Sequence, residues 1–490
     1  MEAPRSFVLA LAAAFAFGCA EVGDGDGDER EAEITSVLAR ADESLIRSRP
    51  ALVAGKYARM RADAFDYLRG SLPVYAHDTR DRLALGPSRF ALAEPLVLSV
   101  GDAHPENFGT LLAADGSLGL EPNDFDTADR APYLWDVRRL ASGLATAASL
   151  ANEGDPDARA ISRAAAGDVA RAAVRAYRDA IGAFASGAAA ERVTGGADPV
   201  LADLFSRAVR DRDARRELAD FTVMEGGARH LRRGVLDPAD PANMLVDLPP
   251  FAMTALGASL RAWRSTLFAG APSDDALTIL DAARELGSGV ASFPRVRALI
   301  LLRGPSDAPD DDLLVELKEL SDSHLELNLP PYAHWDDVKA RVLGTSRAAW
   351  ARPDADRLWG VADWMGIPCQ LRAESGANKA IRVSRLVKDR GTPDALLALA
   401  RTLGTLLARI HASGEGGPMA ARAVAARIGA DTDEFVAEEA DVGVAYAATT
   451  LDDAARFVRA LDRVGPRLGV PFDPSDRPRA DLAALFGASP

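Results

Sequence analysis

The hydrophobic period of this chain changes twice, and that change limits the folds open to it. From Asp157 to about Phe268, apolar residues recur at helical spacing in Ala-, Arg- and Asp-rich sequence, broken by Gly195-Gly196 and a proline cluster from Pro238 to Pro250, which predicts a helical layer. Around Leu286 the pattern becomes that of strands. Arg297–Leu302 and Leu313–Leu317 flank a turn-rich stretch and predict a hairpin. A second hairpin is expected at Cys369–Arg372 and Ala380–Val387. Leu396–His411 is again strongly amphipathic, and helix continues to about Leu468. Upstream, Ile34–Ser48 and Tyr57–Leu68 read as helices, and Leu96–Val100 as a short strand ending at Gly101. The fold class is therefore α+β, with a large helical part and a small antiparallel β part. An alternative helix at Asp354–Met365 would lie within the β-rich block.

Composition removes several functions. The 57 basic residues are outnumbered by 72 acidic ones, for a net charge of -15, so no basic field draws the protein to nucleic acid. Two cysteines, Cys19 and Cys369, cannot build a disulfide framework or a cysteine-rich zinc site. The apolar run Phe7–Phe17 is eleven residues long, too short to span a bilayer, which takes about 20. It reads as the apolar part of a signal peptide. Ala16-Phe17-Gly18-Cys19 resembles a bacterial lipobox, with Cys19 as the lipidated residue. Residues 1–19 would then be signal peptide and lipobox, and the Gly/Asp/Glu run through 20–33 a solvated tether. The expected address is the cell envelope, with a lipid anchor as the sole membrane contact. If the lipobox is a chance match, the address is the cytoplasm and the N-terminus a frayed helix. Residues 34–279 form the first helical part, 280–388 the β-rich part and 389–490 a closing helical segment.

The chemistry concentrates between Gly101 and Asp126. The run Gly-Asp-Ala-His-Pro-Glu-Asn-Phe-Gly occupies 101–109, and Asn123-Asp124-Phe125-Asp126 follows. Between them, Thr110–Leu112 and Leu118–Leu120 flank Ala114-Asp115-Gly116, a hairpin by composition. That hairpin would return Asp124 to Asn107. Two oxygen ligands beside a further carboxylate, Asp102, suit a hard divalent cation, Mg²⁺ by preference. An anionic substrate such as a nucleoside triphosphate would complete its shell.

These residues carry a resemblance. Asp102 to Asn107 has the spacing of a kinase catalytic loop, and Asp124-Phe125 stands where the metal-binding Asp-Phe-Gly would be. His104-Pro105 resembles the aminoglycoside phosphotransferase and choline kinase branch, as does Ala131-Pro132-Tyr133-Leu134-Trp135-Asp136 with the five residues that follow. Together with Lys56–Met60 and Phe65–Gly70, the string looks most like a bacterial family, domain of unknown function 2252, over roughly residues 50 to 465. The resemblance implies a circularly permuted, two-lobed kinase-like fold, because the Gly-rich turn and the lysine follow the catalytic loop. Gly287-Ser288-Gly289 would cover the phosphates of ATP and Lys318 would hold them. Asp102 would be the base, with His104 contacting substrate or ordering the loop, and Asn107, Asp124 and Asp126 would bind Mg²⁺.

The lysine's usual acidic partner has no clear match, the candidates being Glu326, Asp354 and Asp356. Geometry would require His411 to end near the strand entering Gly101 and Lys318 to approach Asp124. The implied activity is phosphoryl transfer to an unknown small-molecule or protein acceptor. One rival is an inactive kinase-like binding protein of the envelope. The other is a metal-dependent phosphoesterase, whose metal site also opens with Gly-Asp-x-His but needs more histidines than the scattered six present.

Overall fold

In the computed structural model of the protein, residues 24–81, 87–92, 94–151, 163–196, 198–268, 277–306, 308–321, 335–386 and 392–471 are described. The chain opens with α1 (Asp24–Ala41), α2 (Glu43–Ser48), α3 (Pro50–Met60), α4 (Ala64–Gly70) and α5 (Leu72–Asp81). Polar side chains set the breaks between them. The Asp42 carboxylate accepts from Lys56 Nζ at 2.6 Å and Tyr57 Oη at 2.9 Å, and Asp63 caps α4 at the N–H groups of Phe65 and Asp66. The acidic tether expected through residue 33 is helical from Asp24 onward. Tertiary contacts supply what composition does not: Arg30 bridges Asp78 at 2.8 Å and Asp453 at 2.6 Å, and Ile34 and Leu38 are fully buried. Cys19 and the apolar run before it lie outside the described residues.

Four short strands follow: β1 (Val97–Ser99), β2 (Phe108–Leu112), β3 (Leu118–Pro122) and β4 (Asp129–Ala131). As expected, β2 and β3 form a hairpin, and β1 pairs antiparallel with β4 so that the hairpin is held between them. Next come α6 (Tyr133–Leu150), α7 (Arg163–Ala185), α8 (Pro199–Asp211) and α9 (Ala214–Phe221). The expected helical layer then ends early. β5 (Thr222–Glu225), β6 (Ala228–Leu231), β7 (Gly234–Asp237) and β8 (Asp240–Asp247) precede α10 (Pro250–Arg264). These strands are short and largely exposed, so no apolar period marks them. Their signals are turn residues, Gly226-Gly227 at positive φ and Asp237-Pro238.

The β-rich part holds β9 (Ile279–Leu286), β10 (Arg297–Leu302) and β11 (Leu313–Glu319), then α11 (Val338–Ala349), then β12 (Gly360–Trp364) and β13 (Ile367–Ala373). With β7 and β8 they form one antiparallel sheet in the order β12-β13-β11-β10-β9-β8-β7. The hairpin expected at 369–387 is displaced toward the N-terminus. Its turn is Met365-Gly366, both at positive φ, the backbone a two-residue hairpin needs. Strand β12 occupies the expected helix at 354–365, and 380–387 carries only the short α12 (Val383–Arg385). The chain closes with α13 (Pro393–His411), α14 (Gly417–Ile428) and α15 (Thr432–Val464).

Two cores result. One packs α10 against the sheet, with Leu256, Leu260 and Trp263 on Ile300, Leu317 and Leu371. The other lies among α6, α7, α13, α14 and α15, through Leu144, Tyr177, Leu407, Val424 and Phe435. Helices from both ends of the sequence therefore share one core. Each fully buried leucine contributes about 1.5–3 kcal/mol to it.

Candidate active site

The turn out of β1 is built by α6. Asp136 is fully buried and accepts from Ser99 Oγ at 2.9 Å, Val100 N at 2.7 Å and Gly101 N at 3.1 Å. The Nε2 of His411, the last residue of α13, lies 3.2 Å from the same carboxylate. The end of α13 thus meets the entry to Gly101 as the sequence geometry required. Gly101 has φ +81°, and a Cβ there would sit 2.0 Å from Thr127 O, so no other residue fits this turn.

Asp102 leaves the turn with its carboxylate held at one side. Arg139 Nε donates to its Oδ1 at 2.7 Å, while Arg139 Nη2 donates to Leu68 O at 2.7 Å. A 3₁₀ turn over Pro105–Asn107 folds the loop back, and Asn107 Nδ2 donates to Asp102 O at 2.8 Å. Because the amide is planar, its Oδ1 points away from that contact. Glu106 ties the loop to the segment after β13, with Arg382 at 3.1 Å and Val383 N at 2.8 Å.

His104 is buried against Phe65, and burial pushes its pKa down to about 4. It is a neutral imidazole 3.5 Å from Asp102 Oδ2. Because protonation is easier in the unfolded chain, its stabilising contribution is full above pH 6.5 and lost as pH falls toward 4. We expect His104→Asn to remove up to about 3 kcal/mol of acid sensitivity in that window. Urea midpoints measured from pH 7 to pH 4 check this, and parallel curves for wild type and variant would refute it.

Lys318 of β11 reaches the Asp124–Asp126 segment. Its Nζ lies 3.3 Å from Asp124 Oδ1 and 2.7 Å from Asp126 Oδ2, and the lysine is 3% exposed. These two aspartates are its acidic partners. Asp354 instead pairs with Arg352 and Asp356 with Arg372, and Glu326 lies outside the described residues. Burial pulls the lysine pKa down, but the two carboxylates outweigh it and raise it. For Asp124, burial pushes the pKa up, but Lys318, the Asp126 N–H and Arg297 together bring it down; for Asp126, burial and the Asp124 charge raise it. Arg341 on α11 grips the intervening backbone, donating to Ala128 O at 2.5 Å and Asp126 O at 2.8 Å.

The Gly-Ser-Gly turn joins β9 to β10. Gly287 and Gly289 have φ +75° and +78°, and a Cβ on Gly287 would lie 2.0 Å from Ala242 O. Ser288 and Gly289 line the same cleft of about 1100 Å³ as Asp102, His104, Asn107, Asp124, Asp126 and Lys318. Gly287 does not line it, and its carbonyl accepts from Arg59 Nη2 at 2.6 Å.

The oxygens available here suit Mg²⁺. Asp126 Oδ1 is buried without a hydrogen-bond partner, Asn107 lines the cleft with its Oδ1 away from the Asp102 carbonyl, and Asp124 adds a second carboxylate. Among the described residues, no group of three or more His, Cys, Asp or Glu side chains is placed to hold a metal. A cation at these three residues would draw its remaining ligands from a substrate, as Mg²⁺ commonly does.

The family model for uncharacterized proteins conserved in bacteria, domain of unknown function 2252, matches residues 47–460. The chain belongs to this family. No curated protein and no solved structure matches it. The domain of unknown function 2252 begins in α2 and ends in α15, so it contains every cleft residue named above and both helical ends of the larger core.

Proposed function

We propose that this member of domain of unknown function 2252 is a phosphotransferase on a circularly permuted, two-lobed kinase-like fold, acting with Mg²⁺ and ATP on a hydroxyl or amine of a small-molecule or protein acceptor. The observation that carries the reading is the meeting of Lys318 with Asp124 and Asp126, about two hundred residues apart in sequence, beside Asn107 and Asp102 in one cleft. Strand order supports it too: β9, β10 and β11, then α11, then a hairpin whose second strand lies beside β11 matches the succession expected of a kinase small lobe.

On this reading Asn107, Asp124 and Asp126 hold Mg²⁺, which when bound neutralises phosphate charge. Lys318 presents its ammonium to the phosphates, and the turn at Ser288-Gly289 covers them. Asp102 orients the acceptor hydroxyl and takes its proton as that oxygen bonds to the γ-phosphorus and the bond to ADP breaks. Arg139 positions Asp102. His104, being neutral and buried, orders the loop.

A ligand-binding protein without turnover is the second reading, favoured by the buried Arg139 that occupies one oxygen of Asp102. The phosphoesterase reading finds no histidine cluster among the described residues: His77, His104, His230 and His411 each face a different carboxylate. The envelope address rests on the motif at Cys19, and intact-mass analysis of the native protein tests it.

Mg-ATP at a hundredfold excess over its dissociation constant should stabilise the protein by about 2–3 kcal/mol. Superimposable melting curves with and without Mg-ATP would remove both readings that involve a nucleotide. Stabilisation without ATP consumption in the presence of candidate acceptors would favour the second.

A further inference from the structure

The glycine-rich turn does not overhang the cleft as a free flap. The loop between β9 and β10 contains two sets of residues. Ser288, Gly289, Ala291 and Ser292 line the cleft, while Gly287, Val290, Phe293 and Pro294 are held by α3 and its N-cap, Arg49. Gly287 O accepts from Arg59 Nη2 at 2.6 Å, and the same arginine pairs with Asp240 of β8 and lies 5.3 Å over the Phe293 ring. Phe293 is buried where α3 has no side chain, since a Cβ on Gly55 would lie 2.2 Å from its Cε1. Val290 is buried with Val53 and Tyr57 of α3 and Phe457 of α15. Arg49 Nη1 donates to Pro294 O at 3.0 Å.

The next helix carries the same support to the Asp102 loop. α4 follows α3 after a short link, and Met60 of α3 fills the space beside Gly70 of α4, where a Cβ would lie 2.4 Å from its Sδ. From α4, Leu68 O accepts from Arg139, the arginine that holds Asp102. The Phe65 ring meets His104 edge-on at 5.8 Å, and Arg69 Nη1 lies 3.2 Å from Glu106 Oε2. Val290 of the turn, Met60 of α3 and Tyr67 of α4 belong to one buried cluster, so the core that anchors the turn is continuous with the core between the two helices. Close-packed interiors yield little and transmit displacement.

We infer that α3 and α4 form a strut that sets the glycine-rich turn at a fixed distance from the Asp102 loop, with Arg59 and Phe293 as the positioning residues of the turn. The identity of the ligand, Mg-ATP beneath Ser288-Gly289, rests on the phosphotransferase reading; the anchoring of the turn does not. A turn fixed before the ligand arrives loses little further freedom on binding, whereas a turn cut loose from α3 must be ordered by the ligand, which lowers affinity. A misplacement of about 1 Å in a positioned group can cost about a hundredfold.

The experiment follows Arg59→Gln and Phe293→Ala in the full chain, by amide hydrogen exchange without ligand and by titration with Mg-ATP. The N–H groups of Phe293 and Arg295 are bonded inside the loop to Val290 O and Ser292 O, so their exchange reports its order. We expect exchange across 288–296 to accelerate at least about tenfold relative to β10 in both variants, and the Kd for Mg-ATP to rise about tenfold or more. Phe293→Leu, which keeps an apolar anchor beside Gly55, should stay within about threefold of wild type in both measurements. Should Phe293→Ala fail to fold, Arg59→Gln still decides, because a quarter of that side chain is exposed. Equal changes in the loop and in β10 for Arg59→Gln, or an unchanged Mg-ATP affinity in a wild type that binds it, would each overturn the inference. A wild type that binds no Mg-ATP removes the phosphotransferase reading instead, and the exchange measurement alone then decides whether α3 holds the turn.

Discussion

Asp102→Asn should leave Mg-ATP binding within about twofold of wild type and lower turnover by about 10²- to 10⁴-fold, the range over which a positioned base acts. The separation of the two effects follows from the geometry. Asn107 binds the backbone carbonyl of residue 102, not its side chain, so the loop keeps its shape when the carboxylate becomes an amide. Arg139 loses a charged acceptor but still reaches Leu68 O. Melting with nucleotide and single-turnover ADP formation measure the two quantities separately. Equal loss of binding and turnover would mean that Asp102 is part of the nucleotide site and not the base.

Lys318→Met should act in the opposite manner, abolishing stabilisation by Mg-ATP and also weakening the apo protein. Breaking a fully buried pair by removing one partner costs about 3–5 kcal/mol. Asp124 retains about a third of its side-chain exposure, which lets water replace part of the lost charge, so we expect about 2–4 kcal/mol. Adding Asp124→Asn and Asp126→Asn to Lys318→Met should recover most of that stability without restoring nucleotide binding, because the triple variant buries no unpaired charge. Urea unfolding of the series measures it. A drop below about 0.5 kcal/mol for Lys318→Met would show that the ion pair is incidental.

The elements that were legible in the sequence have a local cause. Asp115-Gly116 forces the β2–β3 turn, the apolar run at 297–302 can only be a buried strand, and the amphipathic stripe from Leu396 to His411 needs a helical partner. The meeting of Lys318 with Asp124 was legible as well, because the kinase-like spacing of the two segments implied it. What escaped reading has no local signature. Arg139, Arg341 and Gln370 act through partners dozens or hundreds of residues away, and an arginine on a helix looks the same in sequence whether it faces water or a buried carboxylate. Strands β5–β8 were hidden because their side chains alternate between shallow contacts and solvent, which leaves no period. The displaced hairpin turned on Met365, a residue type that rarely adopts positive φ.

The contact between Asp136 and His411 also bears on synthesis. The two residues are 275 positions apart, and a ribosome adding about 5–20 residues per second needs on the order of tens of seconds to cover that distance. During that interval the loop carrying Asp102 is already outside, but the helix that closes on its supporting carboxylate does not yet exist. The nascent chain therefore cannot complete the support of this loop before α13 emerges, and closing so long a loop makes this late docking event a candidate for the slowest step of maturation. An arrested chain ending before residue 393 would carry every residue of the loop and still lack the arrangement that gives them a purpose.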